Sequence, residues 1–113
     1  MNKIWSSTWI ALIVLFSMQV QAECAYPDDI QVPDGGVASE AEMLDGQKLV
    51  KQYMADMEAY LDCIDAEAAA REEEQTPEQM ALDTKRYNAA VDAMESVAAK
   101  FNEQVRAFKA NNN

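Results

Sequence analysis

The chain has 113 residues, of which 26% are charged, and its formal net charge is −11 with no histidine. Nucleic acids and anionic membrane surfaces bind clustered lysine and arginine, so this acidity argues against both as partners. The lack of histidine removes the commonest general base and the commonest metal ligand, and the length allows one small domain.

Residues 1–22 have the features of a signal peptide. Lys3 gives a positive start, residues 9–16 form an unbroken apolar run, and Ala22 ends a stretch that a signal peptidase recognises. The alternative is an uncleaved anchor, which needs about 20 apolar residues. Polar residues at 6–8 on one side, and Gln19 and Gln21 on the other, limit the run. We therefore expect cleavage after Ala22, export, and no membrane attachment of the mature chain.

Cys24 and Cys63 are the only cysteines. An even number of cysteines in an exported chain predicts one disulfide, the alternative being two free thiols. Closing a loop of this length restricts the unfolded chain by about 4 kcal/mol in the chain-entropy model. Redox-active pairs usually lie close in sequence near a helix start, whereas Cys63 falls inside a predicted helix, so we expect a structural disulfide.

The first mature segment, residues 23–38, is predicted to be an extended leader. It holds two of the three prolines and two of the three glycines, and residues before proline favour extended backbone. A turn is expected at residues 33–36. Tyr26, Ile30 and Val32 give the leader apolar side chains to bury, which a disordered tail would not need.

The first helix is predicted over residues 39–73. Ser39 and Glu42 form a capping box at its start. A heptad-like apolar series predicts a packing seam for a second helix, comprising Met43, Val50, Met54, Met57, Leu61, Ile64 and Ala68. A neighbouring shoulder, comprising Leu49, Tyr53 and Tyr60 and ending at Cys63, is expected to dock the leader. The fully extended leader reaches about 50 Å, enough to run back along about 36 Å of helix to Cys63.

The second helix is predicted over residues 77–109. Thr76 is the expected N-cap, Pro77 suits the first helical position, and Gln79 completes a second capping box. Its seam repeats every seven residues, which implies a left-handed supercoil, and it consists of Met80, Tyr87, Val91, Met94, Ala98, Phe101, Val105 and Phe108. Because the connection between the helices is short and polar, residues 39–113 are predicted to form an all-α, coiled-coil-like antiparallel hairpin.

Chemically reactive groups are few, and we expect no enzyme and no cofactor. Ser39 and Thr76 are explained as caps, and Ser96 and Thr84 have no base beside them in the pattern. The acidic run at residues 72–74 could bind a divalent cation or a basic protein. Consecutive helical residues do not share a face, however, so a solvated turn is expected. The carboxylates Glu58, Asp62, Asp65 and Glu67 are likewise expected on the wet face of the first helix.

One combination of residues carries a resemblance to known proteins. It consists of Cys24, Pro33-Asp34-Gly35, Glu42-Met43, Tyr60-Leu61-Asp62-Cys63, Arg86-Tyr87-Asn88 and Phe101-Asn102, in that order. In these residues the chain resembles small exported helical proteins of Gram-negative bacteria that have no assigned activity. The resemblance implies an exported, disulfide-stapled helical hairpin in the periplasm, or secreted, and carries over no catalytic residue. In being small, exported and helical, the chain also looks like periplasmic chaperones.

The functional expectation is a non-enzymatic structural or protein-interaction module. A hairpin has no closed core, so some apolar surface is left for a protein partner or for self-association into four helices. One alternative is a chaperone-like binder of unfolded or cationic proteins, which the acidity and the methionines would suit. The other is a weak binder of a divalent metal or another ligand at the acidic turn.

Overall fold

The computed structural model describes residues 23–71 and 74–113, so the predicted signal peptide lies outside the described residues. Two helices, α1 (Glu40–Ala70) and α2 (Pro77–Asn111), pack against each other, and the described part of the chain contains no strand. The helices are antiparallel: Glu67 of α1 pairs with Arg86 of α2 near the connection. The predicted all-α hairpin with an extended, disulfide-linked leader is confirmed.

The helix ends follow local hydrogen bonding. The Ser39 hydroxyl accepts from the Glu42 N–H while the Glu42 carboxylate accepts from the Ser39 N–H, which is the predicted capping box. Thr76 accepts from the Gln79 N–H. The Gln79 side chain donates to Asp83 at 3.4 Å, so only one half of the second predicted box is observed. The first helix ends at Ala70, earlier than the predicted residue 73, and α2 continues two residues beyond 109.

The core lies between the two helices and the leader. Met57 and Ile64 are fully buried. Around them pack Tyr53 and Tyr60 of α1 and Ala90 of α2, with partly buried side chains from all three segments added. Those partly buried residues are Cys24, Ile30, Leu61, Ala93, Met94 and Val97. The leader is therefore part of the packed structure, and the hairpin alone would leave one side of this core open.

The leader runs antiparallel to α1 along the groove between the helices. The Cα atoms of Cys24 and Cys63 are 5.6 Å apart, and the Tyr26 ring meets the Tyr60 ring edge-on with centroids 5.1 Å apart. Further along, Pro33 lies directly over Gly46. The disulfide and the tyrosine contact both lie on the predicted docking shoulder. The contact at Gly46 extends the docked stretch to the first turns of α1.

A tight turn ends the leader and fastens it to α2. The Asp34 carbonyl accepts the N–H groups of Val37 and Ala38, and its carboxylate accepts the Gly36 N–H. The Gly35 N–H donates to the Gln104 side chain at 2.9 Å. These bonds hold the turn predicted at residues 33–36 against the C-terminal half of α2.

Three residues assigned to packing surfaces lie mostly outside them. Leu49 is 43% exposed, because the leader lies in the groove between the helices and not on the outer flank of α1. Met80 is 54% and Tyr87 41% exposed. The leader covers the opposite side of the hairpin, so nothing in the described residues covers these two α2 side chains.

Gly35→Ala is expected to lower the free energy of unfolding by about 1 to 3 kcal/mol, the usual cost of overpacking. A Cβ at Gly35 would stand 1.8 Å from the Gln104 carbonyl oxygen and 2.9 Å from the Phe108 nitrogen. Both are backbone atoms that cannot rotate away, so the turn has to lift off α2. Urea denaturation followed by circular dichroism measures the loss.

Gly36→Ala is the matched control. A Cβ at Gly36 would meet only side-chain atoms, the nearest being the Asp34 carboxylate at 3.2 Å. Neither glycine has a positive φ, so the two substitutions differ in close contact and not in backbone strain. Equal stability of the two variants would contradict the observed packing of Gly35 against α2.

Candidate functional site

The hairpin has two grooves, one on each side of the plane that contains the helix axes. The leader fills the first, where Asp29 to Val32 lie beside Tyr53 of α1 and Val97 of α2. The second groove has no leader over it. Close to the helix connection this second groove encloses about 200 Å³, and its lining residues are Ile64, Asp65, Ala68, Asp83, Thr84 and Tyr87.

We call the apolar surface along the second groove the open face. Its members are half-buried or exposed and recur at helical spacing on both helices. They are Val50, Met54, Leu61 and Ala68 on α1 and Met80, Tyr87, Val91, Ala98 and Val105 on α2. All nine were predicted as hairpin seam. The structure instead places them at the margin of the seam, where one side of each residue meets solvent.

Apart from Leu49, the remaining seam and shoulder residues lie closer to the hairpin axis. Met43, Met57 and Ile64 are buried, and Tyr53 and Tyr60 are buried as well. The α2 residues Met94, Phe101 and Phe108 are half-buried. The core of α2 contains Asp83 and Ala90, two residues the sequence pattern did not single out.

Packing in the leader groove raises the pKa of one tyrosine, Tyr53. Burial of the Tyr53 hydroxyl raises its pKa above the ordinary tyrosine value, and the neighbouring Tyr26 and Asp29 raise it further. The Tyr53 phenol therefore stays neutral at pH values where an exposed tyrosine begins to ionise. Its position is that of a buried packing residue, because the leader covers it and only 3% of its surface is exposed.

A polar cluster closes the end of the hairpin next to the connection. Asp83 is only 8% exposed and accepts from Arg71 at 2.6 Å. Arg86 lies 3.6 Å from Asp83 and 3.2 Å from Glu67. We refer to Glu67, Arg71, Asp83 and Arg86 as the polar cluster. Glu67 was expected on the wet face of α1, but it is half-buried and paired.

The polar cluster is tied to the leader through Tyr60. Arg86 donates to the Tyr60 hydroxyl at 3.3 Å, and its guanidinium carbon lies 5.8 Å from the centroid of that ring. The hydrogen bond to Tyr60, with that to Glu67, raises the pKa of Arg86 above its ordinary value. The ring of Tyr60 in turn receives Tyr26. The cluster thus orients an aromatic contact of the leader, and every charged member has an opposite charge beside it.

Cys24, Cys63 and Glu67 bring their ligand atoms within 4.8 Å of one another. Both sulfur atoms belong to the Cys24–Cys63 disulfide, and Glu67 is bonded to Arg86. These atoms are therefore committed to structural bonds. Of the acidic turn proposed as a cation site, residues 72–73 lie outside the described residues, and Glu74 is exposed.

Over residues 23–71 and 74–113, neither helix has a stretch of sufficient length and hydropathy to cross a bilayer. Comparison of the chain with protein-family models, with curated proteins and with solved structures found no match. The functional argument therefore depends on the surfaces of this chain alone.

One sequence feature could have indicated the polar cluster, although the predicted seam of α2 did not include it. Asp83 and Ala90 each follow a predicted seam residue by three positions, which is the second seam position of the same repeat. A carboxylate at a seam position is removed from water, so it has to be paired with a positively charged side chain. Arg71 and Arg86 supply the positive charge, one from each side of the helix connection.

Proposed function

We propose that this chain is a non-enzymatic, exported protein-interaction module that acts in the periplasm of a Gram-negative bacterium and binds protein through the open face. The observation that carries the proposal is the uneven covering of the hairpin. One groove is filled by the leader, whereas the other presents apolar side chains on both helices to solvent. Contiguous apolar surface of this kind typically marks an interaction site.

The rest of the molecule supports the proposal by holding the open face rigid. The disulfide fixes the leader to α1, and the polar cluster fixes the two helices to each other across the connection. A preorganised surface loses less conformational entropy on binding than a flexible one. Structural disulfides persist in oxidising compartments, which is consistent with export.

Site-specific photo-crosslinking in the native compartment tests the proposal. Benzoylphenylalanine in place of Tyr87 reports on the open face, and the same residue in place of Leu82 is the matched control. Leu82 is 50% exposed on the same helix, and helical spacing turns it away from the open face. We expect covalent protein adducts from the probe at position 87 and none from that at position 82.

Equal adduct yields at positions 82 and 87 would mean that the open face attracts protein no better than any exposed helix surface, and the proposal would fail. Absence of adducts at both positions in cells grown under several conditions would also count against it. Circular dichroism of both variants checks that the probe has not unfolded the hairpin.

A further inference from the structure

The open face has the dimensions of a stable protein interface. The helices contain 31 and 35 residues, so their paired length is about 45 Å at 1.5 Å per residue. Two adjacent helices present a surface about 20 Å wide. The resulting area of about 900 Å² matches the roughly 800 Å² that each partner contributes to a standard interface.

Charge is distributed unevenly along the borders of this surface. Towards the helix connection the border residues on α1 are acidic, and towards the chain ends the border residues on both helices are mainly basic. The acidic group is Glu58, Asp62 and Asp65, and the basic group is Lys51, Arg106 and Lys109; all six are exposed. Two acidic residues depart from this division: Glu40, in the first turn of α1, and Glu95, midway along α2. Within the described residues none of the six takes part in an ion pair.

We propose that the occupant of the open face is a second copy of this chain, bound in antiparallel orientation. The proposal rests on the proposed function and names its partner. A two-fold axis lying between the faces, perpendicular to the helices, stacks α1 on α1 and α2 on α2 of the two copies. The result is a four-helix bundle in which every neighbouring pair of helices is antiparallel.

Charge selects the antiparallel orientation. The antiparallel orientation brings Lys51 of each copy towards Asp62 and Asp65 of the other. It also separates the two acidic helix connections by the length of the bundle. The parallel alternative gathers both acidic groups at the same end of the bundle, and like charges brought close together across an interface oppose binding. The open face is therefore self-complementary only when one copy is reversed.

Sedimentation equilibrium of the mature protein tests for the dimer. Tyr87→Glu places a charge on the open face and is expected to raise the dimer dissociation constant about tenfold or more. Leu82→Glu adds the same charge outside that face and is expected to leave the dissociation constant unchanged. A mature protein that stays monomeric at about 100 µM, or equal effects of the two substitutions, would overturn the proposal.

Zero-length carbodiimide crosslinking tests the orientation. Lys51 and Asp62 of one chain are 11 positions apart on α1, about 16 Å along the axis, so a direct amide link between them requires two chains. Mixed ¹⁵N-labelled and unlabelled protein identifies such links by mass. We expect links from Lys51 to Asp62 or Asp65 in mixed-isotope dimers. Crosslinked dimers that lack these links would overturn the antiparallel arrangement.

The two tests separate this inference from the proposed function. A monomeric chain whose position 87 still crosslinks in cells to a different protein would overturn the inference and leave the interaction module intact. A dimer whose position 87 crosslinks to its own chain in cells supports both. A monomeric chain that forms no adduct in cells would overturn both.

Discussion

Replacing Cys24 and Cys63 together by serine is expected to lower the free energy of unfolding by about 4 kcal/mol. The disulfide joins residues 39 positions apart, and without it the unfolded chain regains the conformations that the closed loop excluded. For a domain of this size each kcal/mol corresponds to roughly 4–8 °C in melting temperature. The loss is therefore a large part of the total stability of about 5–15 kcal/mol that single domains have.

Urea denaturation of the double variant beside the oxidised parent measures the effect, with helix content and Tyr fluorescence as separate probes. The matched control is the parent protein reduced by a dithiol, which breaks the same bond without changing a side chain. Both forms should lose the same stability. The double replacement is preferred to a single one because a lone cysteine would form disulfides between chains.

A second outcome concerns the leader. Tyr26, Ile30 and Pro33 still contact the hairpin without the disulfide, so folding should remain a single transition reported equally by both probes. If the double variant lost less than about 1 kcal/mol of its free energy of unfolding, the expected loss of about 4 kcal/mol would be contradicted. Such a small loss would mean that the leader separates from the hairpin before the helices unfold, so that the loop closed by the disulfide constrains little.

Local signals in the sequence predicted the elements well. The capping box at Ser39 and the Thr76-Pro77 pair depend on hydrogen bonds within four residues, so the residues that decide them are neighbours in the sequence. The leader was predictable for a related reason. Its prolines exclude a helix, its apolar residues require a surface, and Cys24 selects where on α1 that surface lies.

The rotation of each helix about its axis was harder to predict. On α1 apolar residues occupy two adjacent stripes, with Tyr53 and Tyr60 on one and Met54 and Leu61 on the other. A seven-residue repeat alone does not say which stripe faces the core. The leader decides it, because a third segment packed on the tyrosine side encloses those rings and leaves Met54 and Leu61 half-buried.

The polar cluster could not be assembled from sequence alone because its members come from both sides of the connection. Arg71 and Asp83 are 12 positions apart, and Glu67 and Arg86 are 19. Their pairing depends on the register of the two helices, which the polar connection does not specify. The buried aspartate is also the least expected kind of core residue, since carboxylates are rarely buried unless paired.

Asp83→Ala is expected to lower the free energy of unfolding by about 2 to 3 kcal/mol, below the 3 to 5 kcal/mol typical of fully buried pairs. The expected loss is smaller than that of a fully buried pair because the two arginines are partly exposed, with side chains 31% and 26% accessible. Without Asp83, Arg71 loses its ion-pair partner while its Nε, already buried without a hydrogen bond, stays so. Urea denaturation measures the loss.

Asp92→Ala is the matched control, since Asp92 is an exposed aspartate on the same helix and should change stability by no more than about 0.5 kcal/mol. A double-mutant cycle with Arg71→Ala isolates the pair, and a coupling of about 1 kcal/mol or more is expected because the two residues are in contact. If Asp83→Ala and Asp92→Ala lower the free energy of unfolding by the same amount, the cluster is only a surface ion pair.

Because Arg86 also contacts Tyr60, a destabilised polar cluster should loosen the leader contact at Tyr26 as well. Nuclear Overhauser contacts between the Tyr26 and Tyr60 rings, measured with every tyrosine in place, detect that change.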